Sequence, residues 1–119
     1  NGTPSILPAV ASQPGLDYVL THGIDALADQ NRKLTGLLLE GARALGLRIV
    51  SPLDEARRGG SLMIDLPQAD LVARLREQHL YADQRGTVLR LSPGAITTVD
   101  DCERLIEALS AVVGVRGGA

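Results

Sequence analysis

From residue 16 to residue 45 apolar side chains return every three or four positions. Ile24, Leu27, Leu34, Leu38, Ala42 and Leu45 form the stripe, with the polar Asn31 set into it. That spacing marks one face of an α-helix. Gly23 breaks the run into a short helix and a longer one, and Gly46 is placed to end the second. Gly36 and Gly41 each cost a helix roughly 1 kcal/mol against alanine, so packing must hold it. Upstream, Ile6 to Ser12 predicts a short helix that stops before Pro14-Gly15, after a loop from Asn1 to Ser5.

Beyond Gly46 the period changes. Leu47 to Val50 predicts a short strand closed by Ser51-Pro52, followed by a polar loop from Leu53 to Gly60. Ser61 to Leu66 alternates, with Leu62, Ile64 and Leu66 on one face and Met63 and Asp65 on the other. Pro67 suits the first turn of a helix striped by Leu71, Val72 and Leu75, with Asp70 and Arg74 as a supporting pair. A polar turn is expected at Asp83-Gln84-Arg85-Gly86, with room for a short strand at Leu80 to Asp83. Thr87 to Leu91 then predicts a strand with Leu89 and Leu91 inward and Val88 and Arg90 on the opposite face. Ser92-Pro93-Gly94 stops it. Thr98 is placed to cap a last helix with acidic residues in its first turn; Cys102, Leu105, Ile106, Leu109 and Val113 are its buried stripe. A glycine-rich tail is expected from Gly114 to Ala119.

Short strands and few long crossovers predict an α/β two-layer arrangement, α+β in detail. It is a small antiparallel or mixed sheet of three to four strands, covered on one face by helices. The other face of the sheet would need a partner surface, as in a domain of a larger enzyme.

Composition narrows the partners. The 119 residues hold one domain or part of a larger one. The apolar content is aliphatic, with two Tyr and no Phe or Trp, which leaves no platform for stacking on bases. A net charge of −2 gives no electrostatic case for nucleic acid. A single Cys excludes an internal disulfide, and no apolar run reaches the roughly 18–20 residues of a membrane span. No signal-peptide pattern opens the chain. A soluble, intracellular domain is the expectation.

Candidate chemistry is sparse. Lys33 is the one lysine, mid-helix beside Arg32, and reads as a solvated helix residue rather than a Schiff-base nucleophile. Arg57 and Arg58 beside Gly59-Gly60 read as a solvated turn before an anion cradle. Cys102 lies near a helix start, where its pKa could fall, but its place on the apolar stripe favours a buried structural thiol. His22 and His79 are far apart without ligands at metal spacing. Arg90 stands out. A charged side chain between leucines in mid-strand needs water or a partner, and its planar fork suits a carboxylate. A structural ion pair with Asp65 or Asp83 is the competing reading.

Four motifs bear on that choice: Gly2-Thr3-Pro4-Ser5-Ile6-Leu7, Arg58-Gly59-Gly60-Ser61, Ala82-Asp83-Gln84-Arg85 and Val88-Leu89-Arg90-Leu91-Ser92-Pro93. In this order and spacing they resemble the C-terminal part of class V aminotransferase-fold enzymes, most of all the kynureninases. The resemblance covers nearly the whole chain. It implies a fold type I enzyme that uses pyridoxal 5'-phosphate, in which a large N-terminal domain carries the cofactor on a lysine. A small C-terminal domain closes over an amino-acid substrate. It implies that Arg90 clamps the substrate α-carboxylate, and that Gly2 and Thr3 belong to a loop reaching the cofactor phosphate of the other subunit in a cytoplasmic homodimer. The nearest relatives hydrolyse kynurenine to anthranilate and alanine; the class also holds aminotransferases, desulfurases and epimerases. Residues 1–15 are then the interdomain and cofactor-loop segment, 16–113 the small domain and 114–119 the tail. The sequence departs from the family at Gly94-Ala95-Ile96-Thr97, where a Tyr followed by Asn or Thr is usual. The cofactor lysine, the aspartate for the pyridine nitrogen and the stacking aromatic are absent, so the chain alone is expected to be inactive. A free-standing amino-acid-binding or dimerisation module is the alternative.

Overall fold

The computed structural model describes residues 2–117. Two helices open the chain, α1 (Ile6–His22) and α2 (Ile24–Ala44). Four strands follow: β1 (Arg48–Ile49), β2 (Leu62–Asp65), β3 (Asp83–Arg85) and β4 (Val88–Leu91). A 3₁₀ turn at Glu55–Arg57 and helix α3 (Leu71–Glu77) sit in the connections, and α4 (Val99–Gly117) closes the fold. The strands form one antiparallel sheet in the order β1-β2-β4-β3. This is the expected two-layer α+β domain.

The alternation read from the sequence fixes the layers. Leu62, Ile64, Leu66, Leu89 and Leu91 point to one side and are buried. Against them lie Leu34, Leu38 and Ala42 of α2, Leu71 and Leu75 of α3, and Cys102, Leu109 and Val112 of α4. Gly41 lies where α2 meets α4. A Cβ there would stand 2.6 Å from Ile106 Cγ1, so the glycine allows a close helix approach in return for its cost in propensity. Nothing in the structure explains Gly36, which has open space around it.

The helix ends follow backbone rules. Gly46 adopts φ 68° and closes α2, with its N–H on Arg43 O and the Leu47 N–H on Ala42 O. His79 does the same for α3 at φ 58°, a left-handed position usually given to glycine. At α4 the Thr98 hydroxyl accepts from the Asp101 N–H, while the Asp101 carboxylate accepts from the Thr98 N–H at 2.9 Å and its hydroxyl at 2.8 Å. This reciprocal box satisfies two orphan groups of the first turn.

Four expectations change. Pro14 does not end a helix: α1 runs through it to His22. The Gln13 amide donates to Asp17 at 2.9 Å, an i,i+4 contact across the proline that helps offset the lost backbone bond. Pro67 lies outside α3, which starts at Leu71. Asp83 to Arg85 is a strand rather than a turn; the turn is the two-residue Gly86-Thr87, with Gly86 at φ 59° as a tight hairpin requires. Edge strand β3 carries only polar residues, so no alternating apolar pattern announces it. Helix α4 continues through Gly114 to Gly117; of the expected tail, residues 118–119 lie outside the described residues.

The Asp101 carboxyl is held below its ordinary range, first by the Thr98 backbone N–H and then by its hydroxyl. A depressed carboxyl adds stability above its unfolded pKa of about 3.9 and loses it as pH falls through the lower folded value. Thr98→Ala removes the hydroxyl share of this hold and the cap on the Asp101 N–H, and should lower the urea midpoint at pH 7. The gap between variant and parent should narrow below about pH 4, as the carboxylate is protonated in both.

Candidate functional site

Arg90 is placed by strand pairing. On β4 it stands directly opposite Met63 of β2 on one side and Asp83 of β3 on the other. Because Leu89 and Leu91 are buried, Arg90 must emerge on the open face of the sheet. Its Nη2 lies 3.0 Å from Asp83 Oδ2, and both side chains are close to half exposed, 44% and 45%. Arg85, on the same face of β3, brings Nε to 3.5 Å from the same oxygen. Of the two acids the sequence left open for Arg90, the structure selects Asp83. Asp65 pairs instead with Arg48, its cross-strand neighbour, at 3.1 Å.

The open face therefore carries a ladder of charges: Arg48 and Asp65 on one side, Arg85, Asp83 and Arg90 on the other. The face expected to meet a partner surface has its charges paired within the chain. Charges that are partly exposed and paired are stable in water. One atom departs from the pattern: Asp65 Oδ1 is buried without a hydrogen-bond partner.

The segment that follows Arg90 is clipped to α2. Asn31 Nδ2 donates to Pro93 O at 3.0 Å and to Gly60 O at 3.1 Å. Gln30 Nε2 donates to Ala95 O at 3.2 Å and Thr97 O at 3.3 Å. The hydroxyls of Ser61 and Ser92 meet at 2.8 Å. A Cβ on Gly60 would come within 3.2 Å of Asn31 Oδ1, so this glycine clears the space the amide needs. Two of the motifs singled out in the sequence, Arg58–Ser61 and Val88–Pro93, are thus neighbours joined by one helix residue. Asn31 was legible only as a polar interruption of an apolar stripe.

The other candidates fall into ordinary roles. Arg58 Nη1 donates to Leu53 O at 3.0 Å, closing its own loop, and Asp54 and Glu55 share the hollow beside it, which suits no anion. Lys33 is exposed on α2. Burial pushes the Cys102 thiol up, so it is an inert core residue. His22 meets Tyr18 in a tilted ring contact, with centroids 4.2 Å apart. Among the described residues no cluster of three or more His, Cys, Asp or Glu could hold a metal, and no helix is long and apolar enough to cross a membrane. Gly2 and Thr3 are exposed ahead of α1, and no hydrogen bond or ion pair joins them to Arg90. A hollow on the helix side, lined by Leu91, Pro93, Tyr81 and Cys102, does not include Arg90.

Comparison with known proteins agrees with this fold. The family described as Kynureninase C-terminal domain matches residues 27–109, most of the chain. The chain belongs to that family, and it is a C-terminal small domain of the class V aminotransferase fold. The isopenicillin N epimerase of Streptomyces clavuligerus is 29% identical over 127 aligned residues, covering 95% of this chain and 31% of the epimerase. The apo cysteine desulfurase of Thermococcus onnurineus NA1 superposes with a TM-score of 0.86 at 19% identity, over 95% of this chain and 32% of that one. A NifS-like protein gives 0.79 at 17% identity, over 97% and 35%. The two structural likenesses are of fold. The chain spans about a third of the length of the relatives it matches.

The clip is testable. Asn31→Ala leaves the Pro93 and Gly60 carbonyls without their donor and should cost about 1–3 kcal/mol by denaturant unfolding. Amide exchange should quicken across residues 92–97 and leave β2 slow; uniform protection would show that the clip does not hold the loop.

Proposed function

We propose that the chain is the substrate-closing small domain of a pyridoxal 5'-phosphate-dependent amino-acid enzyme, kynureninase-like in its reaction. The observation that carries this is Arg90: a guanidinium on an interior strand, half exposed and engaged by Asp83 through Nη2 alone, beside a loop clipped in place. Such a group offers a carboxylate two parallel charge-assisted hydrogen bonds. Membership of the kynureninase C-terminal domain family supports the hydrolysis of kynurenine to anthranilate and alanine. The epimerase and desulfurase likenesses leave neighbouring reactions of the class as outcomes of the test.

The residues present fit one edge of the cofactor. Nothing lies within 4 Å of a Cβ built on Gly2, and Thr3 is exposed, so backbone N–H groups and a hydroxyl are open to a phosphate. The single lysine sits exposed on α2 and does not fit the aldehyde anchor; on this reading a large partner domain would supply the anchor. When bound, the cofactor supplies the electron sink for the amino-acid carbanion. This chain's part is to bind and orient the α-carboxylate.

Helix α1 supports a missing partner domain. It has no buried residue, and Ile6, Leu7, Val10, Leu16 and Leu20 are all more than half exposed. A helix apolar around its whole circumference is the pattern of one covered on several sides. The large domain is the cover we propose, within a cytoplasmic homodimer. The alternative, a free-standing module that binds an amino acid or dimerises through the open face of the sheet, leaves that surface in water.

The test uses the longer protein loaded with its cofactor and assayed with L-kynurenine. Arg90→Ala removes one partner of a desolvated charge pair, worth about 2–5 kcal/mol, and should raise KM by about thirtyfold or more. An unchanged KM and kcat would remove Arg90 from the site. Turnover of L-cysteine but not kynurenine would move the chain to the desulfurase reaction.

A further inference from the structure

The geometry points to Asp83 as a positioning residue for substrate recognition, acting through Arg90 and balanced by Arg85. This rests on the reading of Arg90 as the carboxylate-binding group.

Three charged side chains meet on the β3–β4 hairpin. Asp83 Oδ2 receives Arg90 Nη2 at 3.0 Å and Arg85 Nε at 3.5 Å. Two guanidinium groups on one carboxylate leave the cluster with a net charge of +1. Its excess cation can still attract an anion, which an isolated Arg–Asp pair could not.

The strand register makes the contact a fixed one. Asp83 and Arg90 are direct partners in an antiparallel ladder, and Arg85 is the partner of Val88, so all three share one face by backbone geometry. A free arginine side chain samples many rotamers. A cross-strand acid at this register narrows the guanidinium's positions before a ligand arrives, which is how preorganisation raises affinity. The contact takes one Nη2 edge, and a guanidinium has five N–H donors, so a fork remains for a second carboxylate. The pair is half exposed and weak by itself. It therefore steers the side chain without locking it against exchange. Arg85 has the complementary part: it offsets the Asp83 charge that would repel the incoming carboxylate.

The experiment uses the longer, cofactor-loaded protein and two probes, L-alanine and ethylamine, followed by the change in cofactor absorbance on binding. Ethylamine is alanine without its carboxylate. Asp83→Asn should weaken L-alanine about tenfold and leave ethylamine within twofold. Asp83→Glu should recover part of the loss, and Arg85→Gln should weaken L-alanine about threefold. Thermal midpoints report folding, and a merely structural role would move both probes together or neither. Loss of L-alanine binding in Arg90→Ala with none in Asp83→Asn would overturn the role of Asp83 and leave Arg90 in place. Unaltered L-alanine binding in Arg90→Ala would overturn the reading of Arg90, and this inference with it. Tighter L-alanine binding in Asp83→Asn would show Asp83 to be a competitor and also overturn it.

Discussion

Strand β4 is the constraint on which the rest depends. It is flanked on both sides, by β2 and β3, and its two leucines are among the most buried residues in the chain. A shift of one residue would bring Arg90 into the core and Leu89 into water, so the register is held by the full hydrophobic cost of both moves. Arg90 thus has its direction fixed by packing it takes no part in. The same leucines anchor the face on which α2 and α4 lie, and α2 then fixes the loop after Arg90 through Gln30 and Asn31. Core packing, strand register and the placement of one charge are a single arrangement.

What the sequence made legible divides along physical lines. Where one face is buried the period shows through: Leu62, Ile64, Leu89 and Leu91 lie as read, as do Cys102 and Leu109 of α4, while Leu105 and Ile106 are only partly buried and Val112 is buried in place of Val113. Strand β3 had no such mark, because an edge strand of half-exposed polar residues carries no period-2 signal. Its pairing with β4 is set by a glycine turn and is seen only in the register. The partner of Arg90 was left as Asp65 or Asp83 for the same reason: the choice depends on which strands are neighbours and how they are aligned. Pro14 misled in the other direction. Proline disfavours a helix interior, yet the pieces on either side join, with a side-chain contact across it.

Uncovered surface is distributed in a telling way. The open face of the sheet, where a partner was expected, is charged and paired within the chain. The apolar excess lies on α1 instead. These surfaces have different requirements. A paired, charged face needs little beyond water, whereas an all-round apolar helix gains roughly 25 cal/mol for each Å² that is covered.

On the proposed reading of Arg90, the two surfaces are linked by what a carboxylate site requires. An arginine and a carboxylate 4 Å apart attract by only about 1 kcal/mol in water and by about 4 kcal/mol at the effective dielectric of a protein surface. At its present exposure Arg90 is nearer the first limit, which is too weak to hold an amino acid. Burial by a second body strengthens the contact without any change in the arginine itself. An apolar helix is suited to hold such a body in place, because its attraction is broad and does not depend on direction. The hairpin then contributes what burial cannot supply: a guanidinium already aimed, with its neighbouring acid partly neutralised by Arg85. On the proposed reading, strength would come from the covering surface and direction from the sheet, and this chain carries the second.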